Sequence, residues 1–193
     1  ENDKEIDLAN DKYLNLFLKA GTLSSNASIN KKEEMWEVVG DPTEGALVAA
    51  AMKANISKKE LEFNNLKRID EIPFSSEKKF MAVSYKENDQ EFTYLKGAPG
   101  VVLDKCDKVL LKDNEVSELT EDIKEKLSNT NHEMASEGLR VLGIAYKEKQ
   151  KNKLEEDIEE NLIFLGFAGI MDPPRLDVKS SILTAKKAGI RTI

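Results

Sequence analysis

Cysteine and histidine each occur once in the 193 residues. Cys106 on its own excludes an internal disulfide framework and suits a reducing compartment. With no histidine or second cysteine beside it, it reads as a packed thiol and not as a metal ligand or paired nucleophile. His132 falls in a stretch that reads as an exposed helix. Positive charge is also in deficit: 29 Lys and Arg against 36 Asp and Glu give a formal charge of -7. That removes the basic footprint of a nucleic-acid binder and requires any anionic ligand to be met by a local cluster of cations. The longest apolar run, Leu162 to Met171, has ten residues and two glycines, far short of the ~20 that a helical membrane span needs. No direct contact with a membrane is expected. The opening Glu1-Asn2-Asp3-Lys4-Glu5 lacks the basic and apolar regions of a signal peptide. There is no internal repeat and no low-complexity tract. The absence of a Gly-x-x-x-x-Gly-Lys-Ser/Thr loop and of a glycine-rich dinucleotide fingerprint disfavours a free-standing phosphotransferase or a hydride-transfer enzyme.

What is present, at 40% hydrophobic content, suffices for one good core or for one domain plus part of another. The chain can be read around Ile72-Pro73-Phe74-Ser75-Ser76-Glu77-Lys78-Lys79-Phe80. Pro73 and the Ser-Ser-Glu cluster mark a loop, and Phe80 to Tyr85 alternates as a half-buried strand does. Glu87 to Gln90 is turn-forming, and Glu91 to Leu95 reads as the returning strand of an antiparallel hairpin. This pairing brings Phe74 and Lys79 alongside Lys96, with Gly97 allowing close backbone approach. An aromatic ring beside two ammonium groups suits a flat base carrying phosphates, since stacking is worth roughly 1–3 kcal/mol and the cations offset phosphate charge. The bland alternative stays open: Phe74 as a core aromatic, Lys78 and Lys79 as a solvated face, and Lys96-Gly97-Ala98-Pro99 as a strand end turning into a helix.

Along the chain, Ile6 to Ala20 has helical spacing with Gly21 as its stop, Ser24 to Glu34 reads as a polar loop, and Trp36, Val38 and Val39 as a short strand. Asp41 as N-cap, Pro42 at the first helical position and Glu44 at the capping-box position predict a helix running to Met52. A capping box accounts for Glu44 without a ligand; beside an adenine, the same carboxylate would accept a hydrogen bond from the base's amino group. Ser57 to Phe63 reads as a helix, Leu66 to Ile72 as a strand, Gly100 to Cys106 as a short helix, and Val109 to Val116 as a small hairpin about Asp113-Asn114. Thr120 caps a helix over Glu121 to Glu137, with Gly138 as its left-handed terminator. Leu139 to Tyr146 is a strand in which Arg140 either reaches solvent by its long stem or aims at phosphate or ribose. Lys147 to Glu160 is a charged, partly helical connection, and Leu162 to Met171 a strand buried on both faces, ended by Pro173 and Pro174. Leu176 to Ala188 is helical, and Ile190 to Ile193 begins a strand that is cut off, which places a domain junction near Asp172. Residues 1–171 are then one domain and 172–193 the start of a second.

Gly40-Asp41-Pro42-Thr43-Glu44, Phe74 with Lys79, Lys96-Gly97-Ala98-Pro99, Gly138-Leu139-Arg140-Val141-Leu142 and Met171-Asp172-Pro173-Pro174-Arg175, in this order, closely resemble the nucleotide-binding domain of P-type cation-transporting ATPases, and most of all the calcium-pump branch. The resemblance runs from about residue 10 to the end. It implies an α/β chain of the α+β type, with a twisted, mainly antiparallel sheet flanked by helices, in the cytoplasmic part of an integral membrane protein. It implies that Phe74 stacks on adenine, that Glu44 lies near the adenine amino group, and that Lys79 and Lys96 are the pocket lysines. By the same resemblance Arg140 reaches ribose and phosphates, Met81 and Gly97 belong to the pocket, and Asp172 and Arg175 to a hinge. The family usually continues Lys-Gly-Ala-Pro with Glu, where this chain has Gly100.

The family's phosphorylated aspartate lies in Asp-Lys-Thr-Gly-Thr, whereas Asp3-Lys4, Asp11-Lys12, Asp104-Lys105 and Asp107-Lys108 are all followed by other residues. The resemblance therefore implies a monomeric ATP-binding unit, without catalytic or metal-ligating residues of its own, whose partners are the phosphorylation and actuator domains of a parent that uses Mg-ATP. The alternative is a non-enzymatic interaction module of charged helices around a sheet, with no nucleotide binding.

Overall fold

The computed structural model describes residues 11–33, 35–63, 66–111, 114–150, 153–172 and 177–191. Helix α1 (Lys12–Leu23) starts at Asp11, whose carboxylate accepts from the Leu14 amide at 2.9 Å. It does not stop at Gly21. A Cβ there would meet Ile144 at 3.1 Å, so the glycine lets the helix press against the sheet instead of ending it. The Ser24 to Glu34 segment is not all loop either. Strand β1 (Ser28–Lys32) pairs antiparallel with β2 (Met35–Val39), an exposed ribbon that shields Gly45 with Val38.

Helix α2 (Pro42–Lys53) follows the Asp41 cap, and α3 (Lys58–Phe63) leads to β3 (Leu66–Ile72). The central hairpin is β4 (Phe80–Glu87) and β5 (Gln90–Gly97), joined through Asn88 in the left-handed region, with Phe80 opposite Gly97 and Met81 opposite Lys96. Then come α4 (Pro99–Asp104), β6 (Cys106–Leu110), β7 (Val116–Glu118), α5 (Glu121–Ser136) and β8 (Arg140–Glu148). The chain continues with α6 (Leu154–Asp157), β9 (Leu162–Ile170) and α7 (Val178–Lys187). Cys106 belongs to a strand and not to the preceding helix. Thr120 starts α5 through its carbonyl, which accepts from Ile123 and Lys124, and Gly138 ends it at φ +81°. Ile190 and Arg191 are not in a strand, and the Asp113 and Arg175 expectations lie outside the described residues.

Among the described residues the main sheet has seven strands in the order β3-β4-β5-β8-β9-β6-β7, antiparallel throughout except for the parallel β6–β9 pair. Strand β4 is buried on both faces, not one, because helices cover both sides. Phe80 and Ala82 join Val102, Leu103 and Phe164 under α4 and α5, while Met81, Val83 and Tyr85 join Ala20, Leu23 and Leu47 under α1 and α2. Strand β9 is buried at Leu162, Phe164 and Leu165, half-buried at Ile163, and partly open from the bulge beside Gly166 onward. The charged stretch Lys147 to Glu160 is not all connection: Lys147 belongs to β8 and is fully buried against Asp157 of α6.

Candidate functional site

One end of the β4–β5–β8 region opens into a cleft of about 560 Å³ between the start of α2, the loop after β3, the start of α4 and the beginning of β8. Each wall follows from local sequence. At α2, Asp41 accepts from the Thr43 amide at 2.8 Å and the Glu44 amide at 3.2 Å, which fixes the first turn and sets Thr43 and Glu44 at the cleft. Burial alone would raise the Asp41 pKa. The Glu44 and Thr43 hydrogen bonds and the nearby Arg140 charge outweigh it and hold it below the usual aspartate value.

Phe74 lies just past the buried Ile72 and the exposed Pro73, and 60% of it is exposed at the cleft. This excludes the core reading of the ring. The chain then turns: the Lys79 amide donates to the Ser75 carbonyl at 2.8 Å and the Lys78 amide to the Ser75 hydroxyl at 3.1 Å, with Lys79 at φ +58°. Gly97 makes this turn fit, since a Cβ there would stand 2.5 Å from the Lys79 carbonyl oxygen. The same oxygen accepts from the Ala98 amide at 2.9 Å, so the hairpin end and the Phe74 loop are tied together. The close approach that Gly97 permits is thus to its own hairpin partner, and Gly97 lies behind the cleft lining, not in it.

Lys96 forms the inner wall. Its ammonium donates to Glu44 Oε1 at 2.6 Å, the Ser24 carbonyl at 2.5 Å and the Ser25 hydroxyl at 3.1 Å. Burial lowers its pKa below 10.5, and Glu44 opposes that shift. Glu44 does not close a capping box; its second oxygen accepts from the Asn26 and Ala27 amides at 2.6 and 2.9 Å. Arg140, at the start of β8, donates to the Thr43 hydroxyl at 2.7 Å across the mouth. Glu44, Phe74, Lys79, Lys96 and Arg140 therefore line one cleft.

Met81 does not line it. Directly opposite Lys96 in the hairpin, it is buried in the core beneath the cleft, because strand alternation puts it under α1 and α2. Asp172 is exposed and apart from the lining. Asp41, Thr43, Ala98, Pro99, Val141 and Leu142 also line the cleft and went unassigned, although each neighbours an assigned residue in its motif. Arrangement and chemistry agree: an open ring, apolar walls at Pro99, Val141 and Leu142, and three cations give room for a flat heterocycle with an anionic tail.

A family model described as P-type ATPase, cytoplasmic domain N, matches residues 13–177. The chain is 38% identical over 179 residues to Calcium-transporting ATPase 1 of Bacillus cereus, covering 92% of this chain and 20% of that protein. It is 34% identical over 195 aligned positions to Calcium-transporting ATPase of Bacillus subtilis, at 100% and 22% coverage. It is 37% identical over 176 residues to Cation-transporting ATPase pma1 of Synechocystis, at 90% and 19% coverage. The chain thus spans about a fifth of the length of these relatives. With the expected mainly antiparallel sheet and flanking helices in place, and a family match over most of its length, this chain belongs to the P-type ATPase cytoplasmic domain N family.

Proposed function

We propose that the cleft binds ATP, and that the chain is the nucleotide-binding part of a membrane P-type ATPase that moves cations, calcium by the names of its relatives. The observation that carries this reading is Phe74, a ring left open to solvent at the mouth of a cleft with Lys79, Lys96 and Arg140 around it. An open ring with cations around it offers a base a stacking platform and its phosphates charge compensation. The Phe74 face takes the adenine. Glu44 stands on the inner wall on the side of the base's amino group, and Lys96 beside it offsets negative charge. Lys79 and Arg140, both exposed, face the ribose and polyphosphate. Bound ATP supplies the phosphoryl group, and in the parent enzyme magnesium accompanies the polyphosphate.

In this reading residues 1–171 form the nucleotide domain, and 172–193 return toward a phosphorylation domain that carries the acceptor aspartate. Motion about the junction near Asp172 brings ATP to that aspartate, with an actuator domain as the further partner. In the same reading the unit is a monomeric cytoplasmic part of an integral membrane protein, in keeping with the family description.

Amide chemical-shift mapping with ATP, ADP, AMP and GTP tests the reading. Weak, adenine-selective binding is expected, with shifts concentrated at Glu44, Phe74, Lys79, Lys96 and Arg140. Shifts elsewhere, or none, would favour an interaction module that binds no nucleotide.

A further inference from the structure

Asn26 sits in the turn between α1 and β1, outside the lining of the cleft, yet it touches both sides of the architecture that shapes it. Its amide donates to Glu44 Oε2 at 2.6 Å, joined by the Ala27 amide at 2.9 Å, while Glu44 Oε1 holds the Lys96 ammonium. Its side chain faces the other way: Nδ2 donates to Glu71 Oε1 at 2.9 Å, and Oδ1 accepts from Arg68 Nη1 at 2.9 Å. Arg68 and Glu71 close the ring through a 2.7 Å ion pair. Both belong to β3, the edge strand that runs straight into Pro73 and Phe74. Three residues apart on a regular strand, Arg68 and Glu71 would point to opposite faces. The register shift between Arg68 and Asp70 removes that alternation and lets both reach Asn26. An edge strand paired on one side only gains a second tether here, and the tether ends at the carboxylate that orients Lys96.

We infer that Asn26 is a positioning residue for the cleft: its main chain holds the Glu44–Lys96 wall and its side chain fixes β3, so one residue sets the spacing between that wall and the Phe74 ring. The inference rests on the nucleotide reading above. It assigns Asn26 no contact with the ligand, only control of the gap into which a base slides.

Calorimetric titration of the 193-residue chain with ATP, alongside thermal unfolding, compares wild type, N26A, N26D and N26D/E71Q. N26A removes the side-chain bonds without adding charge. N26D keeps an acceptor for Arg68 but sets a carboxylate against Glu71. Adding E71Q supplies an amide donor opposite that carboxylate and restores the wild-type formal charge. N26A and N26D are expected to weaken ATP binding about three- to tenfold, the scale of one or two lost hydrogen bonds, and N26D/E71Q to return to within about twofold of wild type. A loss of general stability alone would show in the melting temperature without this rescue of affinity. Wild-type affinity in N26A and N26D, or an equal loss in N26D and N26D/E71Q, would overturn the inference while leaving nucleotide binding in place. A wild-type chain that binds no ATP would overturn the nucleotide reading and this inference with it, a result distinct from the other two.

Discussion

The Lys96 ammonium and the Glu44 carboxylate stand 2.6 Å apart on the inner wall of the cleft, their side chains only 7% and 15% exposed. A pair this buried gains from mutual attraction what it loses by leaving water, so its worth appears when one member is removed. Glu44→Ala leaves the ammonium with only the Ser24 carbonyl and Ser25 hydroxyl, and leaves the Asn26 and Ala27 amides without their acceptor. A loss of about 3 kcal/mol in urea unfolding is expected, the lower end for a broken buried pair. Glu44→Gln keeps an acceptor for the amides and should lose less; equal losses in the two variants would place the cost in packing and not in charge.

Phe74 is the opposite kind of residue, exposed on an edge loop and packed against little. Phe74→Ala should therefore leave the melting temperature nearly unchanged and weaken ATP binding by roughly 1–3 kcal/mol, the stacking range. Calorimetry on the two proteins at one salt concentration checks this. A large drop in melting temperature would mean that the ring supports the fold after all.

Local punctuation in the sequence was legible because local chemistry decides it. The Asp41-Pro42 start of α2, the left-handed Gly138 after α5 and the hairpin about Asn88-Asp89 all lie where the residues put them. The cleft was legible for a related reason: Phe74, Lys79 and Lys96 are brought together by one hairpin whose register the sequence pattern sets. What stayed hidden depends on distant partners. Ser28 to Lys32 has no apolar alternation, and it is a strand only because Met35–Val39 pairs with it. Gly21 reads as a terminator until Ile144 is seen beside it. Glu44 has the spacing of a capping box, but a buried lysine from β5 and two amides from another turn offer it stronger bonds than its own helix does.

Cys106 illustrates burial acting on a titration. Desolvation, aided by Asp107 and opposed by Lys124, pushes its thiol up to about 12. At pH 8 it should stay protonated and be unreactive toward a thiol-disulfide reagent until the chain unfolds, when one thiol per chain is released. The folded pKa lies above the unfolded value of 9.0, so this contribution to stability is complete below pH 9 and fades as the pH rises toward 12. Between pH 8 and pH 10 the wild type should lose about 1 kcal/mol more than Cys106→Ala in urea unfolding. An identical loss in both would mean that the thiol is not buried.

A second buried pair lies away from the cleft. Lys147 is 2% exposed and Asp157 0%. The ammonium stands 3.2 Å from Asp157 Oδ1 and donates to the Asp157 and Glu160 carbonyls, both at 2.9 Å. The carboxylate also accepts from the Thr93 hydroxyl at 2.9 Å and the Gln150 amide at 2.8 Å, and so staples the connection after β8 back onto β5. Lys147→Met takes the cation away from a fully buried carboxylate and should cost about 3–5 kcal/mol in urea unfolding. Adding Asp157→Asn removes the buried negative charge while keeping an acceptor for Thr93, so the double variant should be no less stable than Lys147→Met alone. ATP affinity should stay within about twofold in both, since Thr93 lies three residues along β5 from Lys96, roughly 10 Å away. If the double variant lost the sum of the two single losses, the lysine and the aspartate would be acting independently, and the staple would owe its strength to the carbonyl and amide bonds around them.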